Sequence, residues 1–247
     1  MPKLVAGNRA FECSLVFDKN GTLVEQHSVL LGLAKARKVA IQRLSGERVA
    51  DLWERIVGVN VANGKIDYQG PLGTAPRREE LLLAAEAFYL NGFSWDESKR
   101  IAQQAYDMAD GSMKPPYGSV LLKGIEGTLK KLKKSQLKLA IASTDTHKRT
   151  VESFKALNMA SIFDVIVGSD DVQNGKPSPD MILTILKATD CRPEATVVVG
   201  DSMSDMQMGR NAGVQACIGV LMGSAKKEEL EQTADAVVDS VAKLHLA

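Results

Sequence analysis

Asp18 closes a short apolar run, SLVF at residues 14–17, and a glycine, Gly21, follows almost at once. This is how a strand delivers a carboxylate into a turn. In an open parallel sheet ligands meet the carboxyl ends of the strands, so Asp18 stands where such folds carry out chemistry. Two positions on, Asn20 offers an amide, which accepts or donates a hydrogen bond but exchanges no proton near neutral pH. Whatever Asp18 does, Asn20 is not its acid/base partner. Three further stretches place polar residues at or beside the ends of apolar runs: AIASTD at 140–145 with Ser143, NGKPSPD at 174–180 with Lys176, and VVVGDSMSD at 197–205 with Asp201 and Asp205.

The elements that must position these residues are legible in the periodicity. Apolar residues at 30–44 recur at steps of three and four, with Lys35, Arg37, Lys38 and Arg43 between them, which predicts a long amphipathic helix. Ser45 and Gly46 end it, a second helix passes through Trp53 and Ile56, and residues 58–74, with four glycines and a proline, read as an unusually long loop. Pro76 opens a third helix that stops at Asn91 and Gly92. Ser94, with Glu97 three residues on in capping-box spacing, opens a fourth that runs to Asp110 and Gly111. Residues 25–113 are thus expected to be nearly all helical, with hardly a strand signal.

KPPYG at 114–118 reads as a linker, and beyond it strands and helices alternate. Strands are expected at 137–142, 163–167, 196–199 and 214–219, helices at 147–157, 179–188 and 203–212, and a last edge strand at 236–239. Near-continuous Val, Ile and Leu runs between helices mean strands buried on both faces, hence a parallel sheet. The expected fold is α/β: a doubly wound parallel sheet of residues 1–24 and 114–247, with residues 25–113 inserted after the first strand as a helical cap.

Composition narrows the partners. The 247 residues, 45% hydrophobic and 25% charged, suit a globular chain of one large or two modest domains. Thirty-one basic against thirty acidic residues leave a net charge of +1 and no footprint for nucleic acid, so an anionic partner must be small and locally held. Cys13, Cys191 and Cys217 lie far apart without a CxxC pair and read as buried free thiols in a reducing compartment. Lys3 and Arg9 flank only short apolar pieces broken by Glu12, which makes neither a signal peptide nor a membrane span; the expected location is cytoplasmic. Nothing in the pattern specifies an oligomeric state.

DKNGTL at 18–23, Ser143, Lys176 and GDSMSD at 200–205 together resemble, in order and spacing, the four motifs of the haloacid dehalogenase superfamily, which is dominated by phosphatases. The resemblance spans the whole sheet domain, and the helical insertion matches the cap that this superfamily often carries after its first motif. It implies a Rossmann-like core and Mg2+-dependent hydrolysis of a small phosphorylated metabolite. Asp18 would be a carboxylate nucleophile that takes the phosphoryl group as an aspartyl phosphate. Asp18, the backbone carbonyl of Asn20 and Asp201 would hold Mg2+, and Asp205 would hold metal-bound water or orient Lys176. The Ser143 hydroxyl and the Thr144 amide would donate to a phosphoryl oxygen at a helix N-terminus, and Lys176 would neutralise Asp18 and the growing oxyanion charge.

Around these, Thr22 reads as a packing or hydrogen-bonding residue of the turn, and Lys19 as a side chain that leans away from the metal, its backbone amide mattering more than its charge. His27 and His147 are acid/base candidates by type, His27 reading more simply as a local surface or packing residue. Lys35, Arg37, Lys38 and Arg43 read as a solvated face.

In the phosphatases of this superfamily the residue two after the nucleophile is usually a second aspartate, which protonates the leaving alcohol and then activates water. Asn20 does neither. Acid/base help is worth on the order of 10²–10⁴ in rate, so the resemblance implies an impaired or deliberately slow hydrolase, whether Asn20 is engineered or native. Phosphonoacetaldehyde hydrolases, which carry alanine here and cleave a C–P bond through a cap lysine, are an alternative. Residues 200–213 and the Ser143–Thr144 pair look like theirs, and Lys35 or Lys38 would be the amine. A phosphate- or partner-binding protein without turnover is the other alternative; the joint presence of Asp18, Ser143, Lys176 and Asp201 weighs against it.

Overall fold

The computed structural model describes the backbone of residues 4–6, 9–11 and 14–246, and side chains from residue 14 through 246. Lys3, Glu12, Cys13 and the side chain of Arg9 lie outside the described residues. The chain divides into two compact units, Met1–Gln26 with Ser119–Ala247, and His27–Gly118. The first part of the chain contributes β1 (Leu4–Ala6), β2 (Arg9–Phe11) and β3 (Ser14–Phe17). Then come α1 (Gln26–Ser45), α2 (Glu47–Val57), β4 (Val59–Asn60), β5 (Lys65–Ile66), α3 (Pro71–Thr74), α4 (Arg77–Tyr89) and α5 (Trp95–Ser112). The remainder alternates: α6 (Ile125–Lys134), β6 (Leu139–Ala142), α7 (His147–Ala156), β7 (Val165–Val167), α8 (Asp180–Thr189), β8 (Thr196–Gly200), α9 (Met203–Asn211), β9 (Ala216–Val220), α10 (Lys227–Thr233), β10 (Ala236–Val238) and β11 (His245–Leu246).

Every residue of β3, β6, β8 and β9 is buried. Strands with no polar face need cover on both sides. Val16 and Val198 share a core with Met181, Ile182, Ile185 and Leu186 of α8 and Met206 and Met208 of α9. The strands form one six-stranded sheet in the order β10-β9-β8-β3-β6-β7, and every neighbouring pair is parallel. From β3 the chain adds β6 and β7 on one side, then crosses back to add β8, β9 and β10 on the other. Between β3 and β8 the succession reverses, which is where open α/β sheets open a crevice for ligands. This is the doubly wound parallel sheet expected from the sequence.

Some elements differ from expectation. β1 and β2 precede β3 and pair antiparallel with each other in a separate sheet, where β1 also pairs antiparallel with β11, from the far end of the chain. Such pairing leaves no trace in local periodicity. Residues 58–74, expected as a loop, hold the antiparallel pair β4–β5, with Val59 opposite Ile66, and the single turn α3. Two-residue strands are too short for alternation to show. α6 and α10 were not among the expected elements, although α6 buries Ile125, Leu129 and Leu132 at helical steps.

The unit His27–Gly118 builds its own core from Trp53, Tyr106, Phe88 and a set of alanines on α4 and α5. The Ser94 side chain accepts from the Glu97 N–H, so α5 starts at the expected cap. Two of the four basic residues of α1, Arg37 and Lys38, depart from the expectation of a solvated face. Arg37 is only 4% exposed; its guanidinium lies 2.6 Å from Glu80 and 4.4 Å from the ring centre of Tyr106. Lys38 sits among Glu54 at 2.9 Å and Asp51 at 3.2 Å, while Lys35 and Arg43 are exposed. Among the described residues Cys217 is buried and Cys191 half-buried, both as free thiols. No helix among them is long and apolar enough to cross a membrane.

Candidate active site

Asp18 leaves β3 still in register with its neighbour, its N–H donating to the Val199 carbonyl at 2.9 Å. The chain then closes on itself: the Leu23 and Val24 N–H groups donate to the Lys19 carbonyl at 2.9 and 3.0 Å, and the Gly21 N–H donates to the Val24 carbonyl at 2.8 Å. Gly21 is required twice over. Its φ of +83° lies in the left-handed region, and a Cβ on it would meet the Asp201 carboxylate at 2.8 Å.

On the other side of the switch point, β8 ends at Gly200 and α9 begins two residues after Asp201. Asp201 is held by the Thr22 hydroxyl at 3.0 Å, the Ser224 N–H at 2.8 Å and the Ser224 hydroxyl at 3.1 Å. Asp205 is the third residue of α9 and forms a reciprocal cap with Ser202, whose N–H donates to it at 3.1 Å. One carboxylate oxygen each of Asp18, Asp201 and Asp205 lies within 4.8 Å of the others. Into this cluster Lys176 inserts a side chain that is 2% exposed, its ammonium 2.5 Å from Asp18 and 2.6 Å from Asp205. A lysine before a proline is commonly solvated; this one is not.

Three buried carboxylates against one ammonium leave excess negative charge, and the acidities respond. Burial pushes the Asp18 carboxyl up to about 8 against the pull of Lys176, with Asp205 and Asp201 adding to the rise. Burial and the neighbouring Asp205 push Asp201 up to about 6, opposed by the hydrogen bonds from Ser224 and Thr22 and by the charge of Lys176. For Lys176 burial works against the charge, but Asp18 and Asp205 outweigh it and hold the ammonium protonated. A donor set made only of hard oxygens, which carries about two negative charges beyond Lys176 when all three carboxyls are ionised, fits a divalent cation of the magnesium type.

Asn20 is half-buried beside Asp18, and its carboxamide oxygen is buried without a hydrogen-bond partner among the described residues. An unsatisfied buried acceptor costs about 1–3 kcal/mol, so it is available to a donor on a ligand. Ser143 follows β6, which lies next to β3 with Phe17 opposite Ile141, so the pairing carries Ser143 to the same end of the sheet as Asp18. Its Oγ accepts from the Asp145 N–H at 3.1 Å, which leaves the hydroxyl proton to donate elsewhere. Thr144 is exposed beside it. One expectation is corrected here: α7 begins at His147 with Thr146 as its cap, so Ser143 and Thr144 belong to the preceding loop rather than to the helix N-terminus.

Lys19 is a second correction. It is 1% exposed, and its ammonium lies 2.7 Å from Asp145, so its charge is buried and used. The histidines stand in other contacts, His147 with Asp171 at 2.8 Å and His27 with the Tyr68 hydroxyl at 2.7 Å. Gly223 and Ser224 were missed. Only the pairing of β9, which they follow, with β8 brings them to the end of the sheet where Asp201 lies.

A family model described as haloacid dehalogenase-like hydrolase matches residues 90–219, just over half of the chain. A phosphorylated carbohydrates phosphatase from Thermotoga maritima is 28% identical over 211 residues, covering 84% of this chain and 85% of that protein. A phosphoglycolate phosphatase from Shigella dysenteriae is 28% identical over 216 residues, covering 85% of this chain and 81% of that protein. Among solved structures, CbbY from Rhodobacter sphaeroides in complex with phosphate superposes with a TM-score of 0.64 at 23% identity, covering 94% of this chain and 96% of that one, a likeness of fold. The chain therefore belongs to the haloacid dehalogenase-like hydrolases, as a phosphatase-like member.

Proposed function

We propose that the chain is a Mg2+-dependent phosphohydrolase of small phosphorylated metabolites that works through an aspartyl phosphate on Asp18 and is slow because Asn20 brings no proton. The observation that carries this reading is the buried bridge of Lys176 between Asp18 and Asp205, with Asp201 alongside. Asp18, the carbonyl of Asn20 and Asp201 would hold Mg2+, with Asp205 alongside, and the ion would supply the charge neutralisation that lets a phosphate monoester approach a carboxylate.

In its ionised form, which Lys176 and the cation would favour against the effect of burial, Asp18 attacks phosphorus as the bond to the leaving oxygen breaks. The Ser143 hydroxyl donates to a non-bridging oxygen, and Lys176 meets the charge that grows there. Water then hydrolyses the acyl phosphate, returning Asp18 and releasing orthophosphate. Asn20 can hydrogen-bond the leaving group or the water but transfers no proton to either. The two curated relatives are named for phosphorylated carbohydrates and phosphoglycolate, which supports a small phosphorylated metabolite as substrate. Cleavage of a C–P bond through Lys38 is disfavoured, because a Schiff-base lysine needs a lowered pKa and the hydrogen bond to Glu54 helps raise this one.

The test is hydrolysis of an aryl phosphate with Mg2+. Asn20→Asp is expected to raise turnover by about 10²–10⁴, and Asp18→Asn to abolish it. No turnover by either the parent chain or Asn20→Asp overturns the reading.

A further inference from the structure

We infer that the Lys19–Asp145 ion pair positions the phosphoryl-binding donors, clamping the turn that carries Asp18 to the loop that carries Ser143 and Thr144. The inference rests on the phosphohydrolase reading above and adds two residues to it. Lys19 lies between Asp18 and Asn20 in sequence, yet its side chain is 1% exposed, and its ammonium ends 2.7 Å from the Asp145 carboxylate. A buried ammonium is costly unless it is paired, and the pair gives stability no better than an apolar contact would. What an apolar contact lacks is direction.

Asp145 is the junction of that part of the site. Its side chain takes Lys19 from the nucleophile turn and faces Arg149 of α7 at 3.6 Å. Its N–H donates to the Ser143 Oγ at 3.1 Å, and its carbonyl accepts from the Ser169 N–H, beyond β7, at 2.9 Å. The bond to Ser143 has a chemical effect. With one lone pair of Oγ engaged by a main-chain donor, the hydroxyl proton is directed to another acceptor, which in the phosphohydrolase is a phosphoryl oxygen. The ammonium is engaged by Asp145 at 2.7 Å rather than by the substrate. Its effect is to fix the spacing between Asp18 and the Ser143 and Thr144 donors, where a displacement of about 1 Å costs on the order of 10² in rate.

The experiment measures orthophosphate affinity by calorimetry with Mg2+, and kcat and KM on an aryl phosphate, for the parent chain, Lys19→Met, Asp145→Asn and the double variant. Each single change is expected to lower kcat about 10–100-fold and orthophosphate affinity about tenfold. The double variant should lose no more than the worse single, because both break one tie, and Lys19→Arg should recover most of the loss. Asp145→Glu keeps the charge and the fold but adds one methylene; loss of kcat about tenfold at an unchanged melting temperature is expected of a clamp and not of a stabilising pair. Folded variants with parental orthophosphate affinity and kcat, or additive losses in the double variant, overturn the clamp alone. A parent chain that neither binds orthophosphate nor turns over the ester overturns the phosphohydrolase reading, and the clamp with it.

Discussion

Gly223 lies so close to Asp201 that a methyl group on it would stand 1.9 Å from the carboxylate Oδ2. The parallel pairing of β8 with β9 brings the two together, and Ser224 then donates twice to the same oxygen. Gly223→Ala must therefore push Asp201 out of place. The expected result is a loss of about 10–100-fold in Mg2+ affinity by calorimetry, with an unchanged far-ultraviolet spectrum. Parental affinity in a folded Gly223→Ala protein would mean that Asp201 does not bind the ion.

The acid cluster makes a prediction about pH in the metal-free chain. Asp18 and Asp201 have carboxyl pKa values of about 8 and about 6, above the ordinary 3.8. Between these limits the folded chain keeps protons that the unfolded chain has already released, so stability falls as pH rises. In chelator, the urea midpoint of the parent chain relative to Asp18→Asn should be highest near pH 4 and decline up to about pH 8. Added Mg2+, which favours the ionised forms, should cancel the decline. A relative midpoint that climbs with pH in chelator would show that burial does not strain Asp18.

In the proposed phosphohydrolase, Asn20 also sets how the reaction responds to its leaving group. Without a proton donor, departure depends on the intrinsic stability of the leaving oxyanion. Across a series of aryl phosphates, kcat/KM should rise steeply as the phenol becomes more acidic, and Asn20→Asp should flatten the slope. A flat slope in the parent chain would reveal a proton donor elsewhere.

In the helical unit, Arg37→Met should cost about 3–5 kcal/mol in urea unfolding, because it leaves Glu80 charged and buried against Tyr106. Replacing Glu80 with an apolar residue as well should restore most of that. A loss below about 1 kcal/mol from the single change would place Arg37 with surface ion pairs instead.

Arg37 also shows where reading the sequence stops. Its spacing with Lys35, Lys38 and Arg43 is that of a polar helix face, and nothing local says that Glu80 and Tyr106 wait for it in the core. Lys19 misleads in the same way, since its partner Asp145 is 126 positions away. Asp18, Lys176, Asp201 and Asp205 were legible because each follows or adjoins an apolar run or a turn that announces its position. Gly223 and Ser224 carry no such announcement; only the strand order gives them a neighbour. The parallel core was legible from β3, β6, β8 and β9 because near-continuous apolar runs admit few other arrangements, whereas β1, β2 and β11 are too short to signal their pairing and β11 lies far from the other two along the chain.

The central place of β3 bears on how the protein is made. Val16 pairs with Ala140 on one side and with Val198 on the other, so both neighbours of the first sheet strand emerge from the ribosome long after it does. At about 5–20 residues per second, the strand waits roughly ten to forty seconds for β8. The helical unit, whose contacts are closer in sequence, can fold meanwhile. Asp18 is therefore synthesised long before β8 arrives to complete its surroundings, and a chain truncated before β8 holds Asp18 without Asp201 and Asp205 beside it.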